Sequence, residues 1–302
     1  MKSRLLILCP GQGDQHARMF DLARGDARAA ALLDGLALPS FYANPALMFS
    51  NRAAQQLIVA SELATWEAIR DDAPVPALVA GYSVGELAAY GVAGALGAAD
   101  VVQLSDVRAR AMDDCEHAHP GQALAAISGL TLARAVEMMA GDLFYVAIET
   151  ADDSCIAGGP AAGLPALEQK VLAAGGRLTR LPVEVASHTP YLAAAVAPFA
   201  AALRDADFRP FAAPVLSGVG VLRVDGKALA VEQLSRQLAE TIAWRGCMDA
   251  CAEAGITVAL ELGPGAALAR MMQTRHPHIA CRSVADFRSL AGVRRWLEQQ
   301  CS

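Results

Sequence analysis

The apolar run Ala77-Leu78-Val79-Ala80 leads straight into Gly81-Tyr82-Ser83-Val84-Gly85-Glu86, and Leu87-Ala88-Ala89-Tyr90 follows. That order dictates a strand, a sharp turn and a helix, with a serine at the apex of the turn. Glycine on either side lets the chain bend tightly and leaves room around the central side chain. Ser83 Oγ then projects from the end of a sheet, and the next backbone N–H points into the same space. A serine hydroxyl alone is a weak nucleophile, so the motif has chemical meaning only beside a base and an oxyanion site.

Strands and helices alternate along the whole chain, which implies an α/β architecture. Arg4 to Cys9 reads as a buried first strand; its apolar stretch is too short for a signal peptide and runs into Pro10-Gly11-Gln12-Gly13. Ala123 to Ser128, Phe144 to Thr150, Ser154 to Ala157 and Gly176 to Val185 read as strands, with helices at Leu132 to Ala140 and Ala161 to Ala174. The order β-α-β-β-α-β describes a ferredoxin-like small domain, 123–186, inserted into a discontinuous large α/β catalytic domain, 1–122 and 187–302. The large domain is expected to be α/β-hydrolase-like with a parallel sheet. With 302 residues, 54% of them hydrophobic, the chain can bury a core of that size.

Charge and cysteine usage narrow the class of function. A net charge of −6 gives no electrostatic case for nucleic acid. No apolar run reaches the ~18 residues of a membrane helix. The 7 cysteines, scattered through apolar or helical segments, suit a reducing, cytoplasmic setting. Cys247 and Cys251, and Cys115-Glu116-His117-Ala118-His119, gather metal-type ligands, but neither group has a partner pair at zinc spacing. The first pair reads as core-facing and the second as a solvated loop, so no metal or other cofactor is expected.

His188, in Val185-Ala186-Ser187-His188-Thr189-Pro190, stands where the insert's last strand returns to the large domain. Such a junction lies on a cleft, where a base would serve Ser83; a helix-capping or surface histidine is the plainer alternative. Pro10-Gly11-Gln12-Gly13-Asp14-Gln15 follows the first strand, yet lacks both the Lys-Ser/Thr of a P-loop and the third glycine of a dinucleotide fingerprint.

Together these pieces resemble the malonyl-CoA:acyl carrier protein transacylase family of fatty acid and polyketide synthesis. The resemblance runs nearly end to end. It rests on Pro10 to Gln15, on Gly81 to Glu86, on Arg108 and Met112 in Val107-Arg108-Ala109-Arg110-Ala111-Met112, on Ser187-His188, and on Glu261-Leu262-Gly263-Pro264-Gly265. It implies that Ser83 carries the acyl group and that His188 is its base, with the backbone N–H groups of Gln12 and Val84 as the oxyanion hole. Arg108 would grip the free carboxylate of a malonyl group, next to Met112; a surface salt bridge with Asp106 is its structural alternative. A backbone carbonyl at Ala243, in Thr241-Ile242-Ala243-Trp244, would orient the histidine. Tyr82 replaces the histidine usual before the serine, near the acyl pocket. That Gly-Tyr-Ser variant is reminiscent of the malonyltransferase subunit of malonate decarboxylases. The implied partners are malonyl-CoA and an acyl carrier protein, for which Arg177, Arg180, Arg270, Arg275 and Arg282 would supply a basic patch. An α/β-hydrolase-type thioesterase or esterase, and a non-catalytic partner subunit, are the rival readings.

Overall fold

The computed structural model describes residues 3–40 and 45–301. β1 (Leu5–Cys9) is buried along its whole length, and its residues alternate between two core layers: Leu5, Ile7 and Cys9 pack on one side, Leu6 and Leu8 on the other. A strand covered on both faces must be continuously apolar, as a central parallel strand is. α1 (Ala27–Gly35) is capped by the Asp26 carboxylate, which accepts from the N–H groups of Arg28 and Ala29. α2 (Asn51–Ile69) then runs through the core ahead of β2 (Leu78–Gly81). α3 (Val84–Val92) and α4 (Ala98–Ala118) follow. Asp100 sits in the first turn of α4, and Gly97 takes the cap position. The stretch Cys115 to Ala118, expected as a loop, continues α4, because Met112 and Cys115 on its inner face are buried in the core.

The inserted sheet comprises β3 (Gln122–Ser128), α5 (Leu132–Met139), β4 (Tyr145–Ala151), β5 (Ser154–Pro160), α6 (Leu164–Ala173) and β6 (Arg177–Arg180). Its four strands are antiparallel, in the order β4-β5-β3-β6. Ala123, Ala125 and Ile127 turn their side chains toward Leu167 and Val171 of α6, a third and separate core. The last strand, expected to reach Val185, stops at Arg180. Leu181 still donates to the Leu124 carbonyl at 2.9 Å, but Pro182 has no N–H to continue the ladder. The chain from 181 to 189 is irregular as a result.

The remainder is α7 (Ala193–Asp205), β7 (Val215–Leu216), β8 (Arg223–Val224), α8 (Lys227–Arg236), α9 (Trp244–Glu253), β9 (Val258–Glu261), α10 (Ala267–Arg275), β10 (Ala280–Ser283) and α11 (Leu290–Cys301). The large sheet has the order β10-β9-β1-β2-β7-β8, parallel except for the β7–β8 pair. β8 and β10 form its two edges. Among the contacts that tie the sheets together are two that use backbone groups. The Gln122 amide, where the chain leaves the large sheet, accepts from the N–H of Ala186, where it returns, at 2.9 Å. Ile242 exchanges backbone hydrogen bonds with Ala147 and Glu149 on edge strand β4, at 3.0 and 2.9 Å. The fold is therefore α/β, a mixed and mainly parallel sheet joined to an antiparallel one.

Candidate active site

Ser83 sits between β2 and α3 with φ 56° and ψ −119°, a conformation that L-residues rarely adopt. Its neighbours show how the turn is enforced. A Cβ on Gly81 would lie 2.2 Å from the Glu86 nitrogen, and one on Gly85 would lie 2.1 Å from the Cys9 carbonyl oxygen. Only glycine fits at either place, so the strained serine is held by backbone packed on both sides.

His188 is brought to Ser83 across 105 residues of sequence. Ser83 Oγ and His188 Nε2 are 2.8 Å apart, and His188 Nδ1 lies 2.6 Å from the Gln237 carbonyl oxygen. A carbonyl only accepts, so Nδ1 carries the proton and the Nε2 lone pair faces the serine hydroxyl. His188 is itself held at φ 62°, with its N–H donating to the Leu238 carbonyl at 2.8 Å. Burial, and second the positive charge of Arg108, push the imidazole down to about 3, against the hydrogen bond it donates to the Gln237 carbonyl, which favours its protonation. It is neutral at pH 7 and able to take the serine proton.

The orienting carbonyl belongs to Gln237 and not to Ala243. Gln237 is the C-cap of α8, where the last carbonyls have no partner within the helix and are free to accept from outside. Ala243, six residues on, is the N-cap of α9, and its carbonyl accepts from the Cys247 N–H at 2.9 Å.

Arg108 is 2% exposed and projects from α4 toward Ser83, its Nη2 3.4 Å from Oγ and 3.2 Å from Gln237 Oε1. Its Nη1 donates to Gln55 Oε1 at 2.7 Å and contacts Met112 Sδ at 3.2 Å. The alternative partner, Asp106, is occupied elsewhere, by Arg52 and Arg110. Burial lowers the Arg108 guanidinium to about 10, and the nearby Glu86 charge opposes that shift, so it stays a cation. Glu86, buried beneath the elbow, accepts from Gly218 N–H at 3.0 Å and from Gln237 Nε2 at 2.6 Å. Burial raises its carboxyl to about 7.

The Gly11-Gln12 loop packs onto the elbow: a Cβ on Gly11 would lie 3.0 Å from the Tyr82 oxygen and 3.8 Å from Ser83 Cβ. Val84 opens α3, so its N–H has no acceptor within the helix. Gln12 also lines a cleft of about 790 Å³ together with Asn51, Asp113, Arg180 and Glu184. Tyr82 is not brought to Arg108 and Met112. It meets Trp244 edge-on, ring centroids 5.3 Å apart, and belongs to the opposite core layer from Met112. It borders a groove of about 1060 Å³ with Ser154, Met248 and Arg270. Of the five arginines expected to form a patch, Arg275 pairs with Asp249 and Asp152. Arg282 lies over the Phe287 ring, 4.2 Å from its centroid. Arg177, Arg180 and Arg270 are exposed. Among the described residues no group of three or more His, Cys, Asp or Glu is arranged to hold a metal ion, and no helix is long and apolar enough to cross a membrane.

Gln55, Glu86 and Gln237 were not assigned roles from sequence. Glu86 stood inside the quoted motif; the other two gave no local signal.

A hydroxyl bonded to a neutral imidazole, with a buried cation beside it, is equipped to form an ester with a negatively charged acyl group. The comparisons agree with that chemistry. The acyl transferase domain model matches residues 7–289. The malonyl CoA-acyl carrier protein transacylase of Mycobacterium bovis is 28% identical over 305 residues, covering 96% of this chain and 100% of that protein. The polyketide synthase GfsB of Streptomyces halstedii is 30% identical over 272 residues, 86% of this chain but 5% of that much longer protein. The solved acyl-carrier-protein S-malonyltransferase of Burkholderia pseudomallei superposes with a TM-score of 0.88 at 26% identity, over 98% of this chain and 99% of that one. A match over nearly the whole chain, around a serine elbow built as such a reaction requires, means that this protein belongs to the acyl transferase domain family.

Proposed function

We propose that the protein transfers a malonyl group from malonyl-CoA to the phosphopantetheine-type thiol of an acyl carrier protein, through an acyl ester on Ser83. The observation that carries this reading is the buried Arg108, 3.4 Å from the nucleophile and, among the described residues, hydrogen-bonded only to neutral acceptors. A buried guanidinium without a direct carboxylate partner is costly unless an anion completes it. The free carboxylate of a malonyl thioester is such an anion, one methylene from its own reacting carbonyl.

Ser83 Oγ attacks the thioester carbonyl as His188 Nε2 takes its proton. The N–H groups of Gln12 and Val84 receive the developing oxyanion. The C–S bond breaks and His188 returns the proton to the departing CoA sulfur. The carrier thiol then enters, gives its proton to His188 and attacks the ester; Ser83 leaves and is reprotonated. Malonyl binding also tunes the base: its carboxylate cancels the Arg108 charge that helps depress His188, so the imidazole gains basicity only with the correct acyl group bound.

The strand order β4-β5-β3-β6, with one helix in each β-α-β half, supports a ferredoxin-like small domain at 123–186. The parallel sheet with its serine elbow supports an α/β-hydrolase-like large domain at 1–122 and 187–302. The carbonyl of Gln237 in place of a triad carboxylate weighs against the esterase alternative. Exposed Arg177, Arg180 and Arg270 are suited to meeting an acidic carrier protein.

Intact-protein mass spectrometry after brief incubation with malonyl-CoA, acetyl-CoA or methylmalonyl-CoA tests the reading. A malonyl adduct on Ser83 that discharges onto an added carrier protein is expected. Free malonate without acceptor loading would make the protein a hydrolase, and no adduct from any donor would overturn the covalent mechanism.

A further inference from the structure

Gln237 touches four parts of the site at once. Its carbonyl accepts from His188, Oε1 accepts from Arg108 Nη2 at 3.2 Å, and Nε2 donates to the Ser83 carbonyl at 3.2 Å and to Glu86 Oε2 at 2.6 Å. We infer that the Gln237 side chain, locked by Glu86, is a positioning residue that holds Arg108 and thereby sets the preference for malonyl over acetyl groups in the transfer proposed above.

The amide has one workable orientation. Glu86 Oε2 takes two donors, Gly218 N–H and Gln237 Nε2. A guanidinium can only donate. Turning the amide over would set its NH₂ against Arg108 and its oxygen against Glu86, opposing both contacts. Glu86 therefore fixes Nε2, and Nε2 fixes which atom Arg108 meets. Gln237 itself is fully buried, so no water replaces a lost contact cheaply.

Neutrality is the second half of the argument. Gln55 Oε1 and Met112 Sδ hold one end of the guanidinium and Gln237 Oε1 holds the other. None carries charge. Glu86 supports the cation from behind the amide without touching it. A carboxylate in the place of Gln237 Oε1 would satisfy Arg108 outright and compete with the substrate's own carboxylate. Because the histidine is served by the Gln237 backbone and Arg108 by its side chain, a side-chain substitution separates the two tasks.

The test compares single-turnover loading from malonyl-CoA and from acetyl-CoA, in variants whose folding is checked by thermal melting. Gln237→Leu keeps the backbone carbonyl and removes all three side-chain contacts, to Arg108, to the Ser83 carbonyl and to Glu86. Its malonyl-to-acetyl ratio should fall about tenfold or more, the loss of one charge-assisted hydrogen bond, through a raised malonyl KM. Gln237→Glu, which needs no change of shape, should lower the ratio as well and carries the test if the leucine variant does not fold. Glu86→Gln leaves an acceptor for both donors and should keep most of the ratio, whereas Glu86→Leu should lose it. Equal loss with both donors, or an unchanged ratio, in a protein that loads malonyl overturns the inference alone. A wild-type protein that forms no malonyl adduct overturns the proposed function and the inference with it.

Discussion

Arg108→Ala separates a substrate-reading arginine from a structural one, because the two roles predict different losses. A malonyl carboxylate paired with a guanidinium that is 2% exposed is a desolvated charge pair. Removing one partner of such a pair costs about 3–5 kcal/mol, which at about 1.4 kcal/mol per decade is a ~10²- to 10⁴-fold fall in malonyl kcat/KM. Acetyl-CoA has no carboxylate to lose, so its loading should fall far less. A second signature comes from the base. Arg108 is the second cause, after burial, of the lowered His188 pKa of about 3. The imidazole must be neutral to act, so in the wild type the acid limb lies well below pH 6. Without the cation the pKa rises, and the acid limb of acetyl loading should move to higher pH. Single-turnover loading followed by intact mass, for both donors between pH 4 and 8, measures both effects: the wild-type acid limb lies below this range, and the variant's should enter it. An equal fall for the two donors, with an unmoved acid limb, would refute the role.

Ser83→Ala should fold normally and form no acyl adduct with any donor; any loading detected by mass would move the nucleophile elsewhere. Gly85→Ala should destabilise the protein severely, because its Cβ would lie 2.1 and 2.4 Å from the Cys9 and Pro10 oxygens, backbone atoms that cannot move aside. A wild-type melting temperature in that variant would contradict the packing of the elbow. Three buried carboxyls predict a pH slope. Burial raises Glu86 and Glu261 to about 7 and Glu62 well above its ordinary 4.5. Each group binds more protons folded than unfolded, so its contribution is complete below about pH 4.5 and is lost as pH rises through the folded pKa. The melting temperature should therefore fall from pH 5 to pH 8, and Glu62→Gln should flatten that slope in differential scanning fluorimetry. A slope unchanged in the variant would mean that Glu62 does not titrate with folding.

What was legible in the sequence was what is local. The elbow could be read because Gly81, Ser83 and Gly85 and the strand before them are contiguous, and their steric demands act within a few residues. His188 could be located at a junction, but not the reason it sits there: Pro182 ends the ladder early, and the chain needs the irregular stretch to turn back. The helix through Cys115 was hidden by its polar outer residues, since only tertiary burial of Met112 and Cys115 reveals that it continues. The Gln237 carbonyl was missed by six residues because a helix-end carbonyl has no signature of its own; any of several could have faced His188. The Glu86–Gln237 contact spans 151 residues, and nothing in either neighbourhood announces it.

That a carbonyl and not an acid stands behind the histidine among the described residues follows from the same electrostatics. A triad aspartate stabilises the imidazolium, but here it would add a carboxylate to a buried site that already holds one cation, Arg108, which the proposed mechanism reserves for the substrate. That anion would draw Arg108 or raise the cost of bringing in a malonyl group. A carbonyl orients the same tautomer with a dipole and no net charge, so Arg108 keeps its full attraction for the substrate. The cost is a weaker resting base, visible as the depressed His188. Binding of the substrate's carboxylate removes part of that cost at the moment the base is needed. On this account, placing an acid at Gln237 should make a stronger base and a poorer malonyl reader at once. Acetyl loading would therefore suffer less than malonyl loading, a difference between donors that no purely structural role of Gln237 would produce.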